Sequence, residues 1–224
     1  MIFTHTGKMG DMFQCLPILS WWYKTYGEKP IYALGMFPYA KQSEELLRMQ
    51  ECIGDVIYID YKPQHLGLGG QPYKFDLKQY LNTNDNYYNL GFRCFPNKYY
   101  GDFIAEEYNL GYDYDFKLNV GDKRNKYRGK TVVMDKYETN ILKNKGIKGE
   151  YLPQNNSLLK NLQLAMGASN VKSFSTASAL LLLLAGKNII VYGENKQISL
   201  GSLEDIHMNL VYSKLPGKAT WINI

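Results

Sequence analysis

The sequence predicts a two-domain α/β protein in which each domain is built on a parallel sheet. Short β-prone stretches alternate with stretches of helical periodicity in both halves of the chain, and this order is typical of parallel sheets covered by helices. A charged, glycine-containing stretch without an apolar pattern, Val120 to Lys130, separates the two halves and predicts an interdomain linker. We therefore expect an N-terminal domain over residues 1–122 and a shorter C-terminal domain over residues 123–224.

The first half is predicted to run strand, helix, strand, helix, strand. A helix should begin at Asp11, its N-cap, because the following apolar residues recur at three- and four-residue steps. The segment Lys62 to Asn89 is rich in Gly, Pro, Asn and Tyr and is expected to be a long loop. The remaining elements are strands at Met1–Thr6, Pro30–Leu34 and Asp55–Ile59, and helices at Ser43–Met49 and Gly101–Tyr108.

The second half repeats the alternation of strands and helices. Its β-prone stretches predict strands at Thr131–Met134, Val171–Phe174 and Asn188–Tyr192. Helices are expected at Ser157–Met166 and Thr176–Ala185, the latter almost wholly apolar. Ligands of such open sheets bind beyond the carboxyl ends of the strands, so the loops that follow the strands become the candidate site.

Composition excludes several classes of function. With 45% hydrophobic and 21% charged residues the chain reads as globular, and a net charge of +5 gives little support for a nucleic-acid partner. The longest apolar run is far shorter than the roughly 20 residues of a membrane span, and the first residues do not read as a signal peptide. The three cysteines include no close pair, which predicts a cytoplasmic protein. The three histidines lack the spacing of metal ligands, so no metal site is expected.

Two loops join a strand to the start of a helix, where backbone N–H groups and the helix dipole favour anions. They are Gly7–Asp11 and Ser173–Ser178, one in each half, and we expect them to face one cleft. Neither is a P-loop or a GxGxxG fingerprint, which argues against a kinase or a dehydrogenase. The alternative for each loop is that Asp11, or Ser175 or Thr176, only caps its helix.

The first loop and its surroundings resemble a known family. The runs Ile2–Thr6, Met9–Asp11 and Leu16–Leu19 are similar to the opening of the ADP-heptose:lipopolysaccharide heptosyltransferases, with a strand, a Gly-Asp turn and a helix with an early proline. The second half, from Ser175 through Gly186-Lys187 to Gly193, resembles GT-B glycosyltransferases more broadly. The resemblance implies a GT-B-like fold, with two small Rossmann-like domains whose parallel sheets face a cleft.

The resemblance also implies a reaction and its site. The expected activity is a metal-independent, inverting transfer of a sugar from a nucleotide-diphosphate sugar to a hydroxyl acceptor, either a glycan, a lipid-linked molecule or another alcohol, with no cofactor. Asp11 matches the family's catalytic base, and Lys8, Met9 and Gly10 form the acceptor-side loop. The residues expected to hold the donor are Ser175, Thr176, Ala177 and Ser178, with Lys136 and Glu194.

Two other functions remain open from the sequence. One alternative is a non-catalytic GT-B-like protein that binds nucleotides or glycans. It is compatible with the short second half and with the absence of a histidine that the family usually carries after the turn of that half. A nucleotide-sugar epimerase on the same architecture is the other alternative. Tight nucleotide binding without turnover would indicate the first, and conversion of a nucleotide sugar without an acceptor would indicate the second.

Overall fold

The computed structural model describes residues 1–5, 9–35, 38–59, 81, 86–91, 100–135, 139–193 and 214–224. The chain divides into two compact units, Met1–Phe116 and Lys117–Ile224. Within the described ranges, no helix has both the length and the apolar character needed to cross a membrane.

In its described residues, the N-terminal unit forms a four-stranded parallel sheet with helices between the strands. Its strands are β1 (Ile2–His5), β2 (Ile31–Gly35), β3 (Asp55–Ile59) and β4 (Tyr87–Asn89). Its helices are α1 (Met9–Gln14), α2 (Leu16–Tyr26), α3 (Pro38–Gln42), α4 (Glu44–Arg48) and α5 (Tyr100–Glu107). The strand order is β3-β2-β1-β4, and every neighbouring pair is parallel.

The central strand β1 is buried along its whole length, as expected for a strand covered on both faces. Phe3 lies opposite Tyr32 of β2 and Tyr88 of β4. Its ring stacks on Tyr88 with centroids 5.2 Å apart and meets the edge of Trp22 on α2 at 5.5 Å. This aromatic cluster fixes α2 against β1 and β4.

The predicted first helix is in fact two helices that break at Cys15. Pro17 occupies the second position of α2, where a missing backbone N–H costs no helical hydrogen bond. The break therefore places Pro17 in the first turn of α2, and the bend expected of a proline inside a helix does not arise. The helix α2 ends at Gly27, whose left-handed φ of 70° is a common helix terminus.

The long loop predicted over Lys62–Asn89 contains a strand at its end. Tyr87–Asn89 forms β4, which pairs with Ile2–Thr4 of β1. Tyrosine is a good strand former, but three residues surrounded by asparagines are too few to give a periodic signal. Most of the rest of that segment lies outside the described residues.

Asp113 fixes the segment after α5 to α2. Its carboxylate accepts a hydrogen bond from Ser20 Oγ and lies 2.7 Å from Lys24 Nζ. Its backbone N–H donates to the Pro17 carbonyl at 3.1 Å. Nearby, Gly111 lies so close to Trp21 that a Cβ at position 111 would sit 2.2 Å from the indole nitrogen.

The described residues of the C-terminal unit form a five-stranded parallel sheet of order β6-β5-β7-β8-β9. Its strands are β5 (Thr131–Met134), β6 (Glu150–Tyr151), β7 (Asn170–Phe174), β8 (Ile189–Gly193) and β9 (Ala219–Asn223). Its helices are α6 (Ile141–Asn144), α7 (Leu158–Gly167) and α8 (Ala177–Leu184), and a short 3₁₀ helix at Asn125–Tyr127 precedes β5. From Ala179 to Leu184 every residue of α8 is buried, so this apolar helix belongs to the core.

The stretch expected to link the two halves, Val120–Lys130, lies in the C-terminal unit and packs against α7. Val120 and Tyr127 are buried, although isolated apolar residues among charges gave no periodic signal. The Gln163 side chain on α7 donates to the Val120 carbonyl at 3.0 Å, and the Arg124 N–H donates to the Gln163 carbonyl at 3.1 Å. The stretch is therefore ordered by tertiary contacts that the sequence pattern did not indicate.

Candidate functional site

In the N-terminal unit the strand order reverses at β1. The strand β2 lies on one side of β1 and β4 lies on the other. Ligands of open α/β sheets bind outside the carboxyl ends of the strands at such a reversal. The helix α1, which carries Asp11, directly follows β1 along the chain, so the first candidate loop lies where this rule places a ligand.

Asp11 lies in the first turn of α1, because the helix already begins at Met9. The prediction that Asp11 is the N-cap is therefore wrong, and Met9 and Gly10 belong to the helix rather than to the loop. A carboxylate in the first turn still interacts favourably with the helix dipole. Asp11 and Gly10 are both partly exposed, so this turn is accessible to solvent.

The charge of Asp11 acts on the fully buried Tyr32. The pKa of Tyr32 is raised well above its usual value, first by burial and then by the nearby Cys15 and Asp11. The Tyr32 hydroxyl donates to the Met12 carbonyl at 2.8 Å. A hydrogen bond from β2 thus supports the helix that presents Asp11.

Four polar side chains are buried at the ends of β1, β4 and α1. Thr4 and His5 end β1, Asn89 ends β4, and Gln14 ends α1; all four are at most 5% exposed. The Asn89 side chain accepts a hydrogen bond from the Gly91 N–H at 2.9 Å. Among the described residues, Thr4 Oγ1 and Gln14 Oε1 have no hydrogen-bond partner. Sequence reasoning missed this group, although two adjacent polar residues at the end of an apolar strand were a visible signal.

In the C-terminal unit the strand order reverses at β5, which lies between β6 and β7. The loop that follows β7 contains Ser175 and Thr176 and leads into α8. The second candidate loop therefore also follows a strand that borders the reversal of its own sheet. The same rule places a ligand of this unit there.

No side chain caps the start of α8 within the described structure. Thr176 occupies the N-cap position, but its hydroxyl donates to the Phe174 carbonyl at 3.3 Å and does not accept from the first turn. The Ser175 N–H donates to the Tyr192 carbonyl at 2.8 Å, which fixes the loop to β8. The alternative in which Thr176 serves only as a cap is thus not what the structure shows. The first-turn N–H groups of a helix have no partner inside it, and such groups favour anions.

Asp135, which follows β5, has a structural role that the sequence analysis missed. Its carboxylate accepts hydrogen bonds from the N–H groups of Leu142 and Lys143 at 2.9 and 3.0 Å. Asp135 therefore caps α6, although it lies several residues before this helix in the sequence. The signal was weak, because a distant aspartate is not recognisable as a cap from local sequence.

The remaining predicted site residues lie outside the described part of the chain. They are Lys8, Lys136 and Glu194. In the described ranges, no group of three or more His, Cys, Asp or Glu side chains is placed to hold a metal ion.

Comparison with known proteins shows similarity at the level of fold. No protein-family model matches the sequence, and no curated protein matches it. The glycosyl transferase family 9 structure from Veillonella parvula DSM 2008 superposes with a TM-score of 0.65 at 9% identity, over 100% of this chain and 85% of that one. TibC, a bacterial iron-containing dodecameric glycosyltransferase from enterotoxigenic E. coli H10407, gives a TM-score of 0.50 at 10% identity, over 86% of this chain and 57% of that one.

These superpositions confirm the predicted fold class. The chain is an α/β protein with two parallel sheets and a GT-B-like architecture, as in the glycosyltransferases to which it is similar. At 9% and 10% identity the similarity concerns the fold.

Proposed function

We propose that this chain is a glycosyltransferase that moves a sugar from a nucleotide-diphosphate sugar to a hydroxyl acceptor, with inversion at the sugar carbon and without a metal ion. The fold it shares with glycosyltransferase structures supports the reaction class. The position of both candidate loops, each after a strand that borders the reversal of its sheet, supports the placement of the site.

The observation that carries the proposal is the open start of α8. A diphosphate needs several N–H donors and a positive local potential, and an uncapped helix N-terminus supplies both. Ser175, Thr176, Ala177 and Ser178 are all partly exposed. The Ser175 N–H and the Thr176 hydroxyl already donate to backbone carbonyls, so the proposed donors to the ligand are the first-turn N–H groups of α8 and the Ser178 hydroxyl. We assign the donor diphosphate to these four residues, with Lys136 and Glu194 as further candidates.

Asp11 is the proposed general base. In the proposed step, the acceptor oxygen forms a bond to the anomeric carbon while the bond from that carbon to the diphosphate breaks. Asp11 takes the hydroxyl proton, and the nucleotide diphosphate leaves with the bonding electrons. A partly exposed carboxylate in the first turn of α1 suits this role, since a general base must reach the acceptor hydroxyl directly.

The more specific form of the proposal is a heptosyltransferase-like enzyme. It is supported by the Met9–Asp11 motif after β1 and by Pro17 at the start of α2. We also propose a cytoplasmic location, the compartment predicted from three cysteines without a close pair. The acceptor-side residues of this form are Lys8, Met9 and Gly10.

Donor binding is tested by a thermal-shift screen of nucleotide diphosphates and their sugars. A ligand at 100 times its Kd should stabilise the folded chain by about 2.7 kcal/mol. Replacing Thr176 and Ser178 together by alanine should weaken binding of that ligand about fivefold to 150-fold, if each hydroxyl contributes about 0.5–1.5 kcal/mol. Thr220→Ala, on an exposed strand position of the same unit, is the matched control. Equal affinity in the double variant and the control would exclude the assigned donor site.

Transfer is tested with Asp11→Asn and the donor found in the screen. Asparagine keeps the shape of the side chain but cannot take the proton, so donor affinity should be retained while the rate falls by about 10²–10⁴-fold. Full activity of this variant would exclude Asp11 as the base. A wild-type chain that binds the donor tightly but transfers to no acceptor would indicate the non-catalytic alternative, and donor conversion without an acceptor would indicate an epimerase.

A further inference from the structure

A basic pocket of about 230 Å³ lies along α7 in the C-terminal unit. Three cationic side chains, Arg124, Lys126 and Lys160, line it together with Tyr127 and Asn156. None of the described residues that line the pocket is acidic. The pocket therefore offers a concentrated positive charge over a partly apolar floor, in a chain whose net charge is only +5.

The backbone that carries Arg124 is anchored firmly to α7. The Arg124 N–H donates to the Gln163 carbonyl at 3.1 Å, and its Nε donates to the Gln163 side-chain oxygen at 2.9 Å. At the end of α7, a Cβ on Gly167 would lie 2.1 Å from the Arg124 carbonyl oxygen, so only glycine permits this close approach. The bond to Nε restrains the guanidinium, and no other described hydrogen bond engages its two terminal nitrogens.

In the described part of the chain, no acidic side chain neutralises Arg124 or the two lysines. Within the described ranges, no carboxylate forms an ion pair with Arg124, Lys126 or Lys160. Lys126 Nζ lies 5.3 Å from the centre of the Tyr127 ring, an arrangement that holds a cation without cancelling its charge. Three cations line one concavity, and an anion bound there would be attracted by all three.

We propose that this pocket binds the phosphate or diphosphate group of a small soluble molecule. Arginine held by a neighbour presents parallel N–H donors that match phosphate oxygens, and lysine contributes further charged donors. The volume of about 230 Å³ lies below the roughly 300–1,000 Å³ typical of pockets for drug-sized ligands. It suits a phosphate-bearing end group better than a whole nucleotide sugar.

This site differs from the donor site proposed above. Arg124 and Tyr127 precede β5 in the chain, whereas Ser175–Ser178 follow β7, and the pocket lining includes none of the donor-loop residues. The proposal therefore does not depend on glycosyl transfer. It adds a second anion site to the C-terminal unit, one that could sense or retain a phosphorylated molecule.

The test uses inorganic pyrophosphate as the probe and the full 224-residue chain. Amide chemical shifts in ¹⁵N-labelled protein report where the probe binds, and we expect saturable changes at Lys126, Tyr127 and Lys160. Arg124→Gln should weaken this binding about tenfold or more, as expected for loss of a charge-assisted bond. Lys145→Gln removes an equal charge at an exposed position outside the pocket, and should change the affinity less than about twofold.

The donor-loop double alanine variant separates the two sites. It should leave the shifts at Tyr127 and Lys160 unchanged, whatever it does to nucleotide-sugar binding. Shifts confined to Ser175–Ser178, or equal weakening by Lys145→Gln, would overturn the proposal. A membrane headgroup as the ligand would also overturn the proposal. In that case pyrophosphate would cause no shifts, while the protein would bind vesicles of phosphatidylglycerol but not of phosphatidylcholine, and this binding would depend on Arg124.

Discussion

Replacing Asp113 by alanine should destabilise the N-terminal unit by about 2–3 kcal/mol, with most of the loss arising from one hydrogen bond. The Asp113 side chain is only 8% exposed and accepts from Ser20 Oγ. A hydrogen bond to a charged group contributes about 1.5–3 kcal/mol. The Lys24 ammonium lies 2.7 Å away, but its side chain is 60% exposed, so we expect only about 0.2–1 kcal/mol from the ion pair.

We therefore predict an order for the loss in free energy of unfolding. The loss should be largest for Asp113→Ala, smaller for Ser20→Ala and smallest for Lys24→Met. Urea unfolding measures each free energy of unfolding, and a double-mutant cycle isolates each pair. Of the three tryptophans, Trp221 lies in the C-terminal unit, so a Trp221→Phe background restricts the fluorescence signal to the N-terminal unit. Asp115→Ala, at an exposed aspartate two residues away, serves as the control and should cost little.

The pH dependence provides a second readout of the same contact. Burial alone would raise the pKa of Asp113, but the bonds from Lys24 and Ser20 outweigh it and lower the pKa below 3.8. A carboxyl group with a lowered pKa in the folded state stabilises the fold above its unfolded pKa and loses that contribution as pH falls through the folded pKa. The difference in free energy of unfolding between wild type and Asp113→Ala should therefore be largest at neutral pH and should shrink below about pH 3.8. A cost of Lys24→Met that equals or exceeds that of Ser20→Ala would refute the reasoning.

Three further predictions concern buried contacts. Tyr32→Phe should lower the free energy of unfolding by about 1 kcal/mol, because it removes the 2.8 Å hydrogen bond to the Met12 carbonyl; an unchanged urea midpoint would contradict this. Gly111→Ala should lower the free energy of unfolding by about 1–3 kcal/mol through overpacking, since the new Cβ would meet Trp21 at 2.2 Å. Wild-type stability of this variant would contradict the prediction. Cys52 should resist iodoacetamide at mildly alkaline pH, because burial raises its pKa to about 12; alkylation of the folded chain as fast as of the unfolded chain would refute it.

The regular elements with strong local signals could be predicted from sequence. The helix expected at Ser157–Met166 is α7, and Ser157 is its N-cap, accepting a hydrogen bond from the Lys160 N–H at 3.2 Å. Serine before an apolar helical stretch is a local signal with a direct structural cause. The short strands β4 and β6 could not be predicted, because their pairing with β1 and β5 depends on residues far away in the chain.

Some features of the candidate site could likewise be predicted from sequence, and others could not. The strand-to-helix order predicts that a ligand binds after the strands. Helix α1 and the Ser175 loop do follow strands that border a reversal of strand order, while ligand binding at these places stays a prediction. The buried Thr4 and Gln14, and the cap that Asp135 forms on α6, depend on which elements meet in space. Periodicity along the chain carries no information about such meetings.

The strand orders have a consequence for how the protein is made. All described strands of the first sheet come from residues 2–89, and all those of the second come from residues 131–223. As the chain leaves the ribosome, the first sheet can close before any strand of the second has been translated. Folding during synthesis can thus proceed one half at a time, and a stall between the halves would leave an N-terminal unit with its described hydrogen-bond ladder complete.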